Sequence, residues 1–188
     1  MSLVLVGISH KTASIRVRER FSFTNEQLKE SLRKINSIDS VLGVVVLSTC
    51  NRMEIYAYLS DNNLGMQELI WFLSDNFLVK EAQIRRYFYV LNDADVIRHI
   101  FKVACGLDSQ ILGETQILGQ VKSAWEIARQ TEVTCELTDA LFADAVRVGK
   151  EVRSFTEISQ GNVSIGSVAI KMLEERFGGI QDKSILVI

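Results

Sequence analysis

Apolar and polar positions divide the chain into a strand-rich first half and a helical second half. Leu3 to Ile8 is an almost unbroken apolar run and reads as a buried strand, as does Val41 to Leu47. Ile55-Tyr56-Ala57-Tyr58-Leu59 gives a third strand, and the aromatic and β-branched stretch from Arg86 to Leu91 a fourth. Between the first two, Thr24 and Gln27 form a capping box ahead of the helical face Leu28, Leu32 and Ile35. Between the last two, Asp61-Asn62-Asn63 predicts a turn, and Leu69, Ile70, Leu73 and Phe77 mark a second helix. The order β-α-β-β-α-β predicts an α+β fold with a ferredoxin-like domain over residues 1–91, in which the second and third strands form a hairpin.

From residue 92 the pattern is helical. Asn92 and Asp93 are placed to cap a helix carrying Val96, Ile97, Ile100, Phe101 and Ala104, with His99 at the edge of its apolar arc. Ile117, Leu118, Val121, Trp125 and Ala128 predict the next helix, and Leu137, Leu141, Ala145, Val148 and Val152 another. Residues 92–155 therefore read as a helical part attached to the first domain. In 156–188, Asn162 is a candidate cap for a helix carrying Val168, Ala169, Met172 and Leu173, which Gly178-Gly179 would end. Lys183 to Ile188 then reads as a strand apolar on both faces, the kind found inside parallel sheets. Its commonest continuation is a Gly-rich turn into a dinucleotide-binding helix, so this strand is expected to be the first of a Rossmann-type domain.

Charge and cysteine usage narrow the function classes. The formal net charge is -2, so a nucleic-acid partner would need a local basic surface. Arg147, Lys150 and Arg153, three apart on one helix, are one candidate. No apolar run approaches the roughly 20 residues that span a bilayer, and the N-terminus lacks a signal-peptide pattern, so no membrane partner is expected. Cys50, Cys105 and Cys135 cannot all pair and show no CxxC spacing, which points to reduced thiols in a cytoplasmic protein. With His10 and His99 as the only histidines, the spacing fits no zinc finger, and no metal site is expected.

Two stretches carry candidate chemistry. Ser48-Thr49-Cys50-Asn51-Arg52 falls at the tip between two strands, a rigidly based and open position that suits a reactive thiol. Arg52 could favour the thiolate by charge attraction, and Thr49 and Asn51 could orient a carbonyl. The competing reading is a small core cysteine. The stretch from Gly106 to Gln120 is dense in small polar and amide side chains, and its glycines at 106, 113 and 119 suggest turns or close backbone approach. No GK[ST] follows, so it is no phosphate loop.

Three motifs in order, Gly7-Ile8-Ser9-His10-Lys11-Thr12-Ala13, Ser48 to Arg52, and Gly106 through Glu114 to Lys122, resemble glutamyl-tRNA reductase over the whole chain. The resemblance implies reduction of glutamyl-tRNA by NADPH to glutamate-1-semialdehyde, the opening step of tetrapyrrole synthesis. By resemblance Cys50 is the nucleophile that holds the glutamyl group as a thioester, and His99 matches a histidine that matters for activity, as a catalytic group that moves a proton when the tRNA hydroxyl leaves or, alternatively, as an orienting one. Substrate contacts map onto Thr49, Cys50, Asn51, Arg52, Ser109, Glu114, Thr115, Gln116 and Gln120. NADPH would be held by sequence beyond Ile188, leaving thioester formation to this stretch. A homodimer of the full-length protein and hand-over of the aldehyde to the next pathway enzyme are further implications. The chain departs from the family pattern at Ser14 and Thr115, where proline is usual, and at Met53, where threonine is usual. The alternatives are a tRNA-binding module without chemistry and a regulatory domain of the same pathway.

Overall fold

The computed structural model describes residues 1–159, 165–181, 184 and 186. Strands β1 (Ser2–Ser9), β2 (Val41–Ser48), β3 (Arg52–Leu59) and β4 (Tyr89–Asn92) form one sheet in the order β2-β3-β1-β4. Each neighbouring pair is antiparallel, so β1 and β2 run in the same direction on either side of β3. Helices α1 (Ile15–Arg18) and α2 (Asn25–Asn36) connect β1 to β2, and α3 (Asn62–Asn76) and α4 (Glu81–Tyr87) connect β3 to β4. Four more described helices follow: α5 (Ala94–Ala104), α6 (Gln116–Gln130), α7 (Glu136–Phe155) and α8 (Ile165–Phe177). Together they make a mixed α/β structure. No described helix is long and apolar enough to cross a membrane.

The local rules behind these elements are mostly visible. The capping box of α2 forms as expected, with Thr24 Oγ1 accepting from Gln27 N at 3.3 Å and Gln27 Oε1 accepting from Thr24 N at 2.9 Å. Its apolar residues Leu28, Leu32 and Ile35 are buried, each removal from water contributing roughly 1.5–3 kcal/mol. Strand β3 is buried on both faces. Its Met53, Ile55 and Ala57 side alternates with Arg52, Glu54 and Tyr56, and α7 covers the latter side through an edge-to-face contact of Phe142 on Tyr56 at 5.2 Å. The buried apolar residues form one cluster that runs from Leu3 to Val146, so the helices after residue 92 share the core of the sheet.

Four expectations need correction. The fourth strand is Tyr89–Asn92 rather than Arg86 to Leu91, because Glu81–Tyr87 is a helix that buries Ile84. Asn62 and Asn63 belong to the first turn of α3, which Asp61 caps by accepting from Leu64 N at 3.0 Å. Asp93 does not cap α5 with its side chain; its Oδ1 accepts from Leu3 N at 3.0 Å and so prolongs the β1–β4 edge. The buried face of α7 includes Thr138, Phe142, Val146 and Gly149 beside Leu141 and Ala145, because that helix packs on α5, α6 and the sheet together. Asn162, and Lys183, Ile185, Val187 and Ile188 of the expected final strand, lie outside the described residues.

One further contact bears on the sheet border. Val44 N in β2 donates to Val133 O at 2.9 Å, so the connection from α6 to α7 lies along the outer edge of β2.

Candidate active site

With β2 ending at Ser48 and β3 starting at Arg52, the hairpin connection is Thr49, Cys50 and Asn51. Thr49 closes it. Its N–H donates to Arg52 O at 2.8 Å, and its Oγ1 accepts from the backbone N–H of Asn51 at 3.2 Å and of Arg52 at 3.1 Å. The Thr49 hydroxyl thus holds the turn at the edge of the cleft. His10 N donates to Asn51 O at 2.9 Å, which carries the β1–β3 pairing one step beyond the strands. From the end of α1, Arg18 donates to Ala13 O at 2.8 Å and reaches Cys50 O at 3.5 Å. The backbone of the tip is therefore tied on several sides, while the Cys50 side chain is exposed and free. Cys105, by contrast, is buried, and Cys135 is half-buried at the start of α7.

Cys50 opens into a cleft of about 350 Å³. One wall is Thr49, Cys50, Asn51 and Arg52. The loop after α5 contributes Ser109, Glu114 and Thr115, the first turns of α6 contribute Gln116, Ile117 and Gln120, and Gly166 of α8 completes the lining. The residues expected from sequence to touch substrate are thus brought together from three separate stretches. Ser109 Oγ is buried with no protein partner among the described residues, an unspent donor and acceptor at the cleft wall. Gly113 shapes the loop. Its φ is +79°, and a Cβ there would stand 1.7 Å from Ile158 O, so the loop backbone rests directly on the segment that follows α7. Arg153 of α7 adds a hydrogen bond to Glu114 O at 3.1 Å.

Behind the tip lies a group that sequence reading did not single out. Arg52 is only 2% exposed. Its Nη1 donates to Glu54 Oε1 at 2.8 Å, and its Nη2 donates to Asp108 O at 2.7 Å and Asp108 Oδ2 at 3.1 Å. Strand alternation is the cause: Arg52, Glu54 and Tyr56 share one face of β3 and turn inward beneath α5 and α7. The positive charge expected to bias Cys50 is therefore already compensated by two carboxylates. Glu54 is wholly buried and also accepts from Tyr56 OH at 2.6 Å, from His99 Nε2 at 2.9 Å and from Tyr89 OH. Burial alone would raise its pKa, but the Arg52 guanidinium and the His99 and Tyr56 hydrogen bonds outweigh it and hold the carboxyl to about 2. Burial and the Glu54 charge push both tyrosine hydroxyls far above their ordinary value, so they remain donors. An ionised Glu54 only accepts, so His99 Nε2 must carry a proton and donate it. His99 is not among the residues lining the cleft. Lys11, on the loop after β1, pairs with Asp108 from the outside.

The basic row on α7 is largely spent on the protein itself. Arg147 pairs with Asp144 and with Glu151, each at 3.0 Å, and Arg153 is turned to the Glu114 carbonyl. Signals for the buried group were nonetheless present in the sequence: a Glu flanked at two-residue spacing by Arg52 and Tyr56 inside an otherwise apolar strand.

Comparison with known proteins adds a consistent set of likenesses. The sequence profile described as "Glutamyl-tRNAGlu reductase, N-terminal domain" matches residues 6–156. Glutamyl-tRNA reductase of Desulfitobacterium hafniense (strain DSM 10664 / DCB-2) is 40% identical over 185 residues, covering 98% of this chain and 42% of that protein. The same-named protein of Carboxydothermus hydrogenoformans is 41% identical over 188 residues, covering 100% and 42%. Among solved structures, glutamyl-tRNA reductase from Methanopyrus kandleri superposes with a TM-score of 0.71 at 35% identity, covering 92% of this chain and 39% of that one. The chain thus spans about two fifths of the length of the relatives it matches.

Proposed function

Because the chain belongs to the glutamyl-tRNA reductase family through its N-terminal domain, we propose that Cys50 takes the glutamyl group from glutamyl-tRNA as a thioester. This is the acyl-transfer half of an NADPH-dependent reduction to glutamate-1-semialdehyde, which feeds tetrapyrrole synthesis. The observation that carries the reading is the free, exposed thiol on a braced hairpin tip, opening into a cleft lined by amide, hydroxyl and carboxylate side chains.

In this reading the Cys50 thiol gives up its proton to solvent and attacks the ester carbonyl carbon, the bond from that carbon to the terminal ribose oxygen breaks, and that oxygen leaves as a hydroxyl by taking one proton back from solvent. Ser109 Oγ, with no partner in the protein, hydrogen-bonds the bound glutamyl group. Glu114 accepts from its α-ammonium, and the Gln116 and Gln120 amides hold its polar edges. Arg52 lines the cleft with its Nη1 and Nη2 already bonded to Glu54 and Asp108, so it meets a substrate carboxylate as a fixed positive charge at the cleft wall. His99 is a positioning residue here: it holds Glu54, and Glu54 holds Arg52. NADPH supplies the hydride in the complete reaction. The described residues do not form the Gly-rich strand–turn–helix crevice that holds a dinucleotide, so no hydride step is assigned to them. The sheet order, with helices bridging β1 to β2 and β3 to β4, supports a ferredoxin-like reading of the scaffold.

The test is intact-protein mass after brief incubation with glutamyl-tRNA. A hydroxylamine-sensitive glutamyl adduct is expected on the wild type and not on Cys50→Ser. A folded wild type that binds the tRNA and gains no mass would favour a binding module without chemistry.

A further inference from the structure

A groove of about 540 Å³ opens at the end of the molecule away from Cys50. Strand β1 separates the two places. Ser2 and Leu3, its first residues, line the groove, while Ser9, its last, pairs with Arg52 at the Cys50 tip, roughly 20 Å further along the strand. Helices α5 and α7 supply the sides. Ala94, Ile97 and Phe101 share one face of α5, and Leu137, Ala140 and Leu141 share one face of α7, by their three- and four-residue spacing. Ile97 is 42% and Leu137 38% exposed, so part of this apolar lining is open to solvent.

The charge in the lining is of one sign. Asp93, just before α5, and Asp144 of α7 are its only charged side chains, and no lysine, arginine or histidine joins them. Each carboxylate keeps one oxygen unspent among the described residues. Asp93 Oδ1 accepts from Leu3 N at 3.0 Å, and Asp144 Oδ1 takes both Arg147 contacts, from Nε at 3.2 Å and from Nη2 at 3.0 Å. The α-ammonium of Met1 makes an ion pair with neither. Two hydroxyls are poorly used as well. Ser2 Oγ has no partner among the described residues, and Tyr58 OH donates to Met1 Sδ at 3.3 Å, a weak acceptor.

We propose that this groove binds a small organic cation, a protonated amine carried on a compact apolar body. The volume falls within the roughly 300–1,000 Å³ of small-molecule sites, which are mostly apolar with a few placed polar groups. An ammonium group offers three donors and no acceptor. The free carboxylate oxygens of Asp93 and Asp144 and the hydroxyl oxygens of Ser2 and Tyr58 are acceptors for it, and Ile97, Phe101 and Leu141 cover the apolar body. The same two charges repel a carboxylate or a phosphate. That repulsion and the distance from Cys50 set this ligand apart from the glutamyl-tRNA of the reaction above. Arg147 already holds one oxygen of Asp144, so it competes with the ligand and lowers its affinity.

Tryptamine, indole-3-propionate and 3-methylindole share a ring and differ in charge. Each would be titrated into the chain while the backbone amide signals of Ser2, Ala94 and Ala140 are followed by NMR, with Thr49 and Gln116 as markers of the Cys50 cleft. Tryptamine is expected to give saturable shifts at the first three and none at the last two, and to bind roughly tenfold more tightly than the propionate. Asp144→Asn should weaken tryptamine several-fold and leave 3-methylindole unchanged, while Arg147→Ala should strengthen tryptamine. Ala140→Leu, an exposed position that fills the groove, should abolish binding of all three with the remaining amide signals in place. Absence of tryptamine shifts on the wild type, shifts confined to the Cys50 cleft, or binding of the propionate or 3-methylindole as tight as that of tryptamine would overturn the proposal. So would tryptamine binding that Asp144→Asn leaves undiminished.

Discussion

Cys50 and Arg52 are two residues apart and live in opposite worlds. Cys50 points to solvent from a turn held by its neighbours' backbone, with no partner for its own side chain. Arg52 points inward, bonded to Glu54 and Asp108 within a buried set that includes Tyr56, Tyr89 and His99. The outer region is built to be changed by a ligand, and the inner one to resist change. The contrast separates two demands that are hard to meet in one place: a reactive group needs access and unspent bonds, while its placement needs a fully bonded base.

The sharpest break of this comparison is Cys50→Ser. It should remove the glutamyl adduct by at least ~10³-fold, while thermal unfolding stays within about 0.5 kcal/mol of the wild type, as for exposed sites generally. Arg52→Ala should do the reverse to the scaffold. Removing one partner of a buried pair leaves the Glu54 carboxylate uncompensated, at about 3–5 kcal/mol, readable as a lowered denaturant midpoint. Cys50→Ser made in that background should add nothing further to the loss.

Acid should then distinguish the two regions. Glu54 titrates near 2 when folded, below the ordinary 4.5. Its contribution is therefore fully present above about pH 4.5 and is lost as pH falls toward 2, on the order of 3 kcal/mol in all. Glu54→Gln should flatten the acid limb of a stability–pH profile, and an unchanged limb would show that Glu54 is not the group responsible. The smallest effect is expected from Lys11→Ala. That ion pair with Asp108 has a half-exposed lysine, so its loss should cost at most about 1 kcal/mol and should shrink further in high salt.

Much of this was legible in the chain. The first three strands stood out as dense apolar runs, and Thr24 with Gln27 marked the start of α2 by side-chain chemistry that acts within four residues. Local signals failed where tertiary packing decides. Arg86 to Leu91 has strand-like composition, yet its first two residues complete a helix anchored by Ile84. Asp93 looks like a cap from its position but bonds to Leu3, 90 residues away. At the candidate site, the membership of the cleft could be expected by motif, since Thr49, Ser109 and Gln116 do meet there. What the side chains are bonded to could not. Arg52 as a free cation and its actual burial differ by which face of β3 the later helices α5 and α7 cover; Glu54 and Tyr56 at two-residue spacing hint at a buried polar face, but the covering helices lie more than 40 residues further along the chain.

One detail of the sheet border reaches beyond the site. Strand β2 lies at the edge of the sheet and carries Val44-Val45-Val46-Leu47, a segment of high β-propensity without charge or proline. Such an edge is a template for pairing with other chains. Its outer side is met by the α6–α7 connection, where Val133 O accepts from Val44 N. That connection passes through Glu132 at a φ of 60°, a conformation few non-glycine residues hold without support. A proteolytic nick there would free the edge before it unfolded the sheet, and its first symptom would be self-association into β-rich aggregates, with the chemistry at Cys50 lost only afterwards.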